Sequence, residues 1–138
     1  MIKAVLDTNM IVSAHLVAQG RQALILELAL GGAFEWIASE ALLEEYEDVL
    51  RRPRFGFSPA AITQSMETIR DAVRLVTPRN RYAISSDPDD NLVLECAVEG
   101  NADFLVTGNL RHSPARFRGV RVVSPRTFQL ILASALDS

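Results

Sequence analysis

Lysine is almost missing from this chain: of its 14 basic residues only Lys3 is not arginine. Arginine forks suit phosphate recognition, but the base composition of a genome produces the same excess. Cysteine is as scarce. Cys96 stands alone, so no disulfide can close within the chain, which suits a reducing compartment. It has no His or Cys spaced around it for zinc, and its apolar helical surroundings mark it as a small buried hydrophobe. Two histidines, His15 and His112, are too few for a dinuclear histidine phosphatase centre. Seven Gly and six Pro do not make a flexible or low-complexity chain. No apolar run approaches the ~20 residues of a spanning helix; the longest, from Ala23 to Leu30, is interrupted by Glu27. Met1 opens directly on Ile2-Lys3-Ala4-Val5-Leu6, with no room for a charged leader and a full apolar region. These absences predict a cytoplasmic protein with no membrane partner.

Other absences exclude whole mechanisms. No Gly-rich loop ending in Gly-Lys-Ser/Thr exists, so a P-loop nucleotidase is excluded. A receiver domain needs a lysine after a late strand, and the only lysine is Lys3. A haloacid-dehalogenase-like phosphatase needs a second Asp two residues after the one that follows its first strand; here that position is Asn9.

What is present is an ordinary globular composition, 49% hydrophobic and 22% charged over 138 residues. That length suits one domain, residues 1–138. The net charge is -3 and the sequence pI about 5.4. A protein holding nucleic acid by charge alone is usually basic. A metal nuclease is not excluded, because bound divalent cations reverse the local field.

Short apolar runs at Ile2–Leu6, Phe34–Ala38, Phe104–Thr107 and Val120–Val123 read as buried strands. Between them lie helical patterns. One runs from Met10 to Val17, and another from Arg21 to Leu30, stopped by Gly31-Gly32. Glu40 to about Arg52 follows with Ser39 as its N-cap, then Pro59 to about Val76 after Ser58. Asp87-Pro88-Asp89-Asp90 reads as the start of a helix reaching about Glu99, and Pro125 to Ala135 closes the chain. Tyr82 to Ile84 reads as a short extended segment. Strands of continuous apolar residues alternating with helices predict an α/β fold, a central parallel sheet sandwiched by helices.

Open parallel sheets carry their sites beyond the carboxyl ends of the strands. Asp7 ends the first strand and Asn109 lies just past the third, so those strands are expected to be neighbours with these ends together. Leu42, Tyr46 and Val49 form the apolar stripe of the third helical pattern. At ~100° per residue Glu45 falls inside that stripe while Glu44 and Glu47 point away. An acid there is costly unless paired; either it serves a site, or it is a boundary residue that reaches solvent. Asp87 and Asp90 have the spacing of an N-cap and its N3 partner. Asp90 shares a face with Leu94 and Ala97, which suits a metal ligand as well as a cap. Several carboxylates at fixed positions would hold a hard divalent cation and supply what phosphodiester hydrolysis needs.

Over nearly its whole length the chain resembles a PIN domain. Val5-Leu6-Asp7-Thr8-Asn9 resembles the opening motif, whose Asp is a metal ligand and whose Thr and Asn hold the site. Ser39 to Tyr46 resembles the second motif, with Glu45 as ligand. Asp87-Pro88-Asp89-Asp90-Asn91 resembles the third, with Asp90 as ligand. Ala102 to Asn109 resembles the fourth, which often ends in Asp; here it ends in Asn109, which keeps a carbonyl oxygen and loses the charge. Thr107-Gly108-Asn109 with His112 is similar to a variant found among PIN domains of toxin type. The resemblance implies a Mg²⁺- or Mn²⁺-dependent ribonuclease. Its catalytic carboxylates would be Asp7, Glu45 and Asp90, and its metal ligands these three with Asn109. Thr8, Asn9, Asp87 and Thr107 would support them. It implies an RNA substrate, a likeness to VapC-type toxins, a homodimer and a protein antitoxin. A PIN domain weak in catalysis that works as a binding or scaffold protein, and an RNA maturation or decay nuclease, are the competing readings. No residue is singled out for RNA binding.

Overall fold

The computed structural model describes the backbone at residues 1–81, 88–110 and 114–136, and the side chains of these except 88–90 and 136. The expected extended segment at Tyr82–Ile84, together with Asp87 and His112, lies outside the described residues, as does the side chain of Asp90.

Among the described residues six strands form one sheet, in the order β3-β2-β1-β4-β6-β5. They are β1 Lys3–Leu6, β2 Glu35–Ala38, β3 Arg74–Leu75, β4 Phe104–Val106, β5 Arg116–Phe117 and β6 Val120–Val123. All neighbours are parallel except the antiparallel edge pair β5–β6. The centre of the sheet is buried on both faces. Ala4, Val5 and Leu6 of β1 are all inaccessible, although successive side chains point to opposite sides. That is why the strand reads as an unbroken apolar run rather than an alternating one.

The helices are α1 Thr8–Leu16, α2 Arg21–Leu30, α3 Glu40–Leu50, α4 Pro59–Ala72, α5 Pro88–Glu99 and α6 Pro125–Leu136. α5 packs on β1, β2 and β4, while α2 contacts α1 and α6. Ser39 and Ser58 cap their helices through hydroxyls that accept from the N–H groups of Leu42 and Ala61, both at 3.1 Å. α5 ends against the sheet: a Cβ on Gly100 would lie 2.6 Å from Ile37 Cγ2, so only glycine allows this approach.

Three helix boundaries differ from expectation, and two short strands stand where none was expected. α1 starts at Thr8 rather than Met10, because the polar cluster after β1 is itself a helix cap. α3 stops at Leu50, and Pro53 begins a separate 3₁₀ turn, Pro53–Phe55. α4 ends at Ala72, and the next residues form β3 by pairing Arg74 and Leu75 with Ile37 and Ala38. β5 was also not expected. Two-residue edge strands like these carry too few side chains to show a period.

Candidate active site

Strands β1 and β4 are adjacent and parallel, with Leu6 beside Val106, as expected. Asp7 leaves β1 with its N–H donating to Val106 O at 3.1 Å, and Thr107 leaves β4 with its N–H donating to Val123 O at 3.0 Å. The two strand ends are therefore locked side by side. The Asp7 carboxylate has two jobs in this lock. Oδ1 accepts from Met10 N at 2.9 Å and so caps α1. Oδ2 accepts a short hydrogen bond from the Thr107 hydroxyl. That hydroxyl in turn accepts from Asn109 N at 3.0 Å. One buried Thr oxygen thus joins the Asp7 and Asn109 segments, which are 102 positions apart in sequence.

The second acid arrives on α3. The Thr8 hydroxyl donates to Glu45 Oε2 at 2.5 Å. Glu45 is half-buried and Glu44 is exposed, as the helical phase requires. Beside Glu45, the Tyr46 phenol donates a short hydrogen bond to Leu6 O, tying α3 to the end of β1. Burial holds that phenol well above its ordinary pKa, so it stays a donor through the working range of the protein. The Ser39 cap, the buried Leu42 and the Tyr46 bond to Leu6 O fix α3 beside the carboxyl edge, and Glu45 lies next to Tyr46 there.

A model of the PIN domain matches residues 3–111. The chain belongs to the PIN domain family. A search of proteins of curated function found no match.

PIN domains are generally nucleases that use divalent metal ions. The donors gathered here fit such an ion by their chemistry. Asp7 and Glu45 are oxygen donors, oriented by the hydroxyls of Thr107 and Thr8, and hard cations of the Mg²⁺ and Mn²⁺ class select oxygen. The one thiol is no competitor. Cys96 is inaccessible in α5, and burial pushes it up to about 12, partly offset by a hydrogen bond with Ser39. Among the described residues no three His, Cys, Asp or Glu side chains gather as a metal cluster; Asp90, in the first turn of α5, has its side chain outside that set. Asn109 is half-buried, and Asn9 is exposed on α1.

One acid was overlooked in the sequence. Glu95 of α5 is only 5% exposed. It lies 3.7 Å from Arg81 and lines a cavity of about 390 Å³ with Ser39, Glu40, Thr77 and Leu92. Its signal was an acid inside the apolar stretch Leu92–Val98, the same kind of exception that drew attention to Glu45. No helix of the described residues is long and apolar enough to cross a membrane.

Proposed function

We propose that this PIN domain is a Mg²⁺- or Mn²⁺-dependent endoribonuclease, with Asp7, Glu45 and Asp90 as carboxylate ligands and Asn109 as a neutral oxygen ligand. The observation that carries this is the pair of hydroxyl-held carboxylates, Thr107 to Asp7 and Thr8 to Glu45, at one carboxyl edge of a parallel sheet.

The chain's own residues do the positioning. Thr107 fixes the plane of the Asp7 carboxylate, and the α1 cap fixes its other oxygen. Thr8 holds Glu45 toward the same edge. Such prior ordering lowers the cost of stripping water from a hard cation. A bound divalent ion supplies charge for a phosphoryl oxygen and acidity for a water.

The expected result is Mn²⁺-dependent cleavage of RNA by the native protein, abolished in Asp7→Asn and in Asp90→Asn with the fold retained. Asn at position 7 keeps an oxygen for Met10 N and can donate to the Thr107 oxygen, so the cap survives. Cleavage that persists in EDTA, or in both variants, overturns the reading.

Its biological setting is read as the toxin of a toxin–antitoxin pair, acting in the cytoplasm as a homodimer blocked by a protein antitoxin. The support is the Thr107-Gly108-Asn109 variant of the fourth motif. A short reading frame immediately upstream, encoding a protein that binds and inhibits this one, is the expected finding. A neighbourhood without such a gene favours an RNA maturation or decay nuclease. The neutral Asn109 supports a second reading, a catalytically weak binding protein, and calorimetric titration that detects no Mn²⁺ binding would establish it.

A further inference from the structure

Charge is divided unevenly along this chain. From Phe104 to Leu136 there are five arginines and no acid, leaving nine basic residues elsewhere against all 17 acids. The protein is acidic overall, yet this one segment is purely basic. Four of the five, Arg116, Arg118, Arg121 and Arg126, are described and exposed. These four lie beyond residues 3–111, where the family match ends.

The fold concentrates these charges further. β5 and β6 form a hairpin with Arg116 directly opposite Arg121. Val122 N donates to Ala115 O at 2.9 Å, so by the alternation of an antiparallel ladder the Arg116–Arg121 pair is the close, non-hydrogen-bonded kind, with facing Cα atoms ~4.5 Å apart. The turn is Arg118-Gly119, with φ of 48° and 87°. This is the two-residue turn that prefers Asn-Gly, so an arginine occupies a place where its backbone is strained. Val120 and Val122 on either side of Arg121 are buried, so Arg116 and Arg121 share the outward face. Like charges placed directly opposite are destabilising. Among the described residues no ion pair reaches Arg116, Arg121 or Arg126. Charged side chains on an edge strand deter sheet extension; a facing pair of arginines in a segment without acids also makes a ready-made anion site.

We propose that the outward face of the β5–β6 hairpin holds the phosphodiester backbone of the RNA strand, one phosphate gripped between the guanidinium groups of Arg116 and Arg121. The inference rests on the ribonuclease reading above. The hairpin is well placed for it. Arg121 lies two residues, ~7 Å, before Val123, whose carbonyl holds Thr107 beside Asp7. β6 is separated from β1 by β4 alone, ~10 Å across two strand spacings. Arg126, in the first turn of α6, follows β6 at the carboxyl edge. Arg121 on β6 and Arg126 just beyond it lead toward the edge that carries Asp7, and a strand seated on them brings a phosphodiester further along its backbone to the acids. Two guanidinium forks on one phosphate give the bidentate geometry that lysine cannot supply.

The test uses the whole chain and a short, unstructured, fluorescently labelled RNA in EDTA, so that binding is read without cleavage. Threonine replaces arginine in Arg116→Thr/Arg121→Thr because it favours strands. Removing the facing charges should leave Tm equal to or above wild type, so loss of fold does not confound the result. The double variant is expected to bind RNA about tenfold more weakly. Its slope of log affinity against log salt should be shallower by about 0.7, one phosphate contact on a single strand. The double lysine variant should keep most of the slope but not all of the affinity. In Mn²⁺ the threonine variant should show raised KM with kcat near wild type. If wild type cleaves RNA in Mn²⁺ but the threonine variant matches it in affinity, slope and KM, this inference falls and the nuclease reading stands. If wild type neither binds nor cleaves RNA, both fall together. If oligoglutamate of matched charge binds as tightly as RNA and loses affinity in the same variant, the hairpin is a surface for acidic proteins and the RNA assignment is overturned.

Discussion

Replacing Thr107 with valine would remove one oxygen and keep the shape of the side chain. That oxygen donates to Asp7 Oδ2 and accepts from Asn109 N, and the residue is 4% exposed. A hydrogen bond to a charged group is worth ~1.5–3 kcal/mol, and an orphaned buried donor costs ~1–3 kcal/mol. Asn109 N is close enough to the surface to find water in part, so the lower end applies to that loss. The total expected destabilisation is therefore about 3 kcal/mol. For a chain of 138 residues, with an unfolding entropy of ~2.1 cal/mol/K per residue, this lowers Tm by about 10 °C. The α1 cap, Met10 N to Asp7 Oδ1, does not involve Thr107, so far-UV circular dichroism should be unchanged below the transition. Thr107→Ser keeps the hydroxyl and should recover most of the loss, less the packing of one methyl, ~1 kcal/mol. Asp7 would also lose the group that fixes its plane, and the stabilisation conferred by saturating Mn²⁺ should shrink in Thr107→Val. Thermal unfolding of the three proteins, with and without Mn²⁺, decides the matter. A valine variant as stable as wild type, or a serine variant as damaged as valine, would refute the claim that this hydroxyl joins the two segments.

Glu45→Gln should weaken Mn²⁺ binding by tenfold or more in calorimetry, while Glu44→Gln stays near wild type, because only Glu45 meets Thr8; equal effects would end the helical-phase argument. Asn109→Asp adds a negative charge beside Asp7, so the metal-free variant should melt below wild type and gain more from saturating Mn²⁺ than wild type does; an equal gain would place Asn109 outside the metal site. Cys96, held neutral up to about 12 against an ordinary 9.0, should resist thiol reagents in the native state. Its raised pKa contributes stability that is present below pH 9 and is lost as pH rises from 9 toward 12, since there only the unfolded chain releases the proton. Urea midpoints in Cys96→Ala that fall as steeply over that window as in wild type would remove Cys96 from the explanation.

Much of this protein is legible before any coordinates. β1 and β4 show as continuous apolar runs because they are buried on both faces. The caps Ser39 and Ser58 show because a helix needs a side-chain acceptor at its start. Glu45 shows because a helix returns every seventh residue to nearly the same side, so one acid in an apolar stripe is visible by phase alone. Other features depend on partners distant in the chain. The polar residues that end β1 and β4 announced these strands as neighbours, but the hydroxyl of Thr107 bridges Asp7 and Asn109 only through the turn each chain segment takes after its strand. Asp7 as the cap of α1, rather than the tail of a strand, required the turn into helix at Thr8 that brings Met10 N onto its carboxylate. The burial of Glu95 required α5 to be laid against α3 and the sheet. The facing of Arg116 and Arg121 required a register, which a two-residue strand cannot announce: two side chains hold no period, and only pairing with β6 fixes which arginine meets which. Sequence alone determined the local propensities, the periodic burial and the neighbouring of β1 with β4; tertiary structure decided which side chains meet across elements, because those energies arise only when separate segments have been brought to one edge of the sheet.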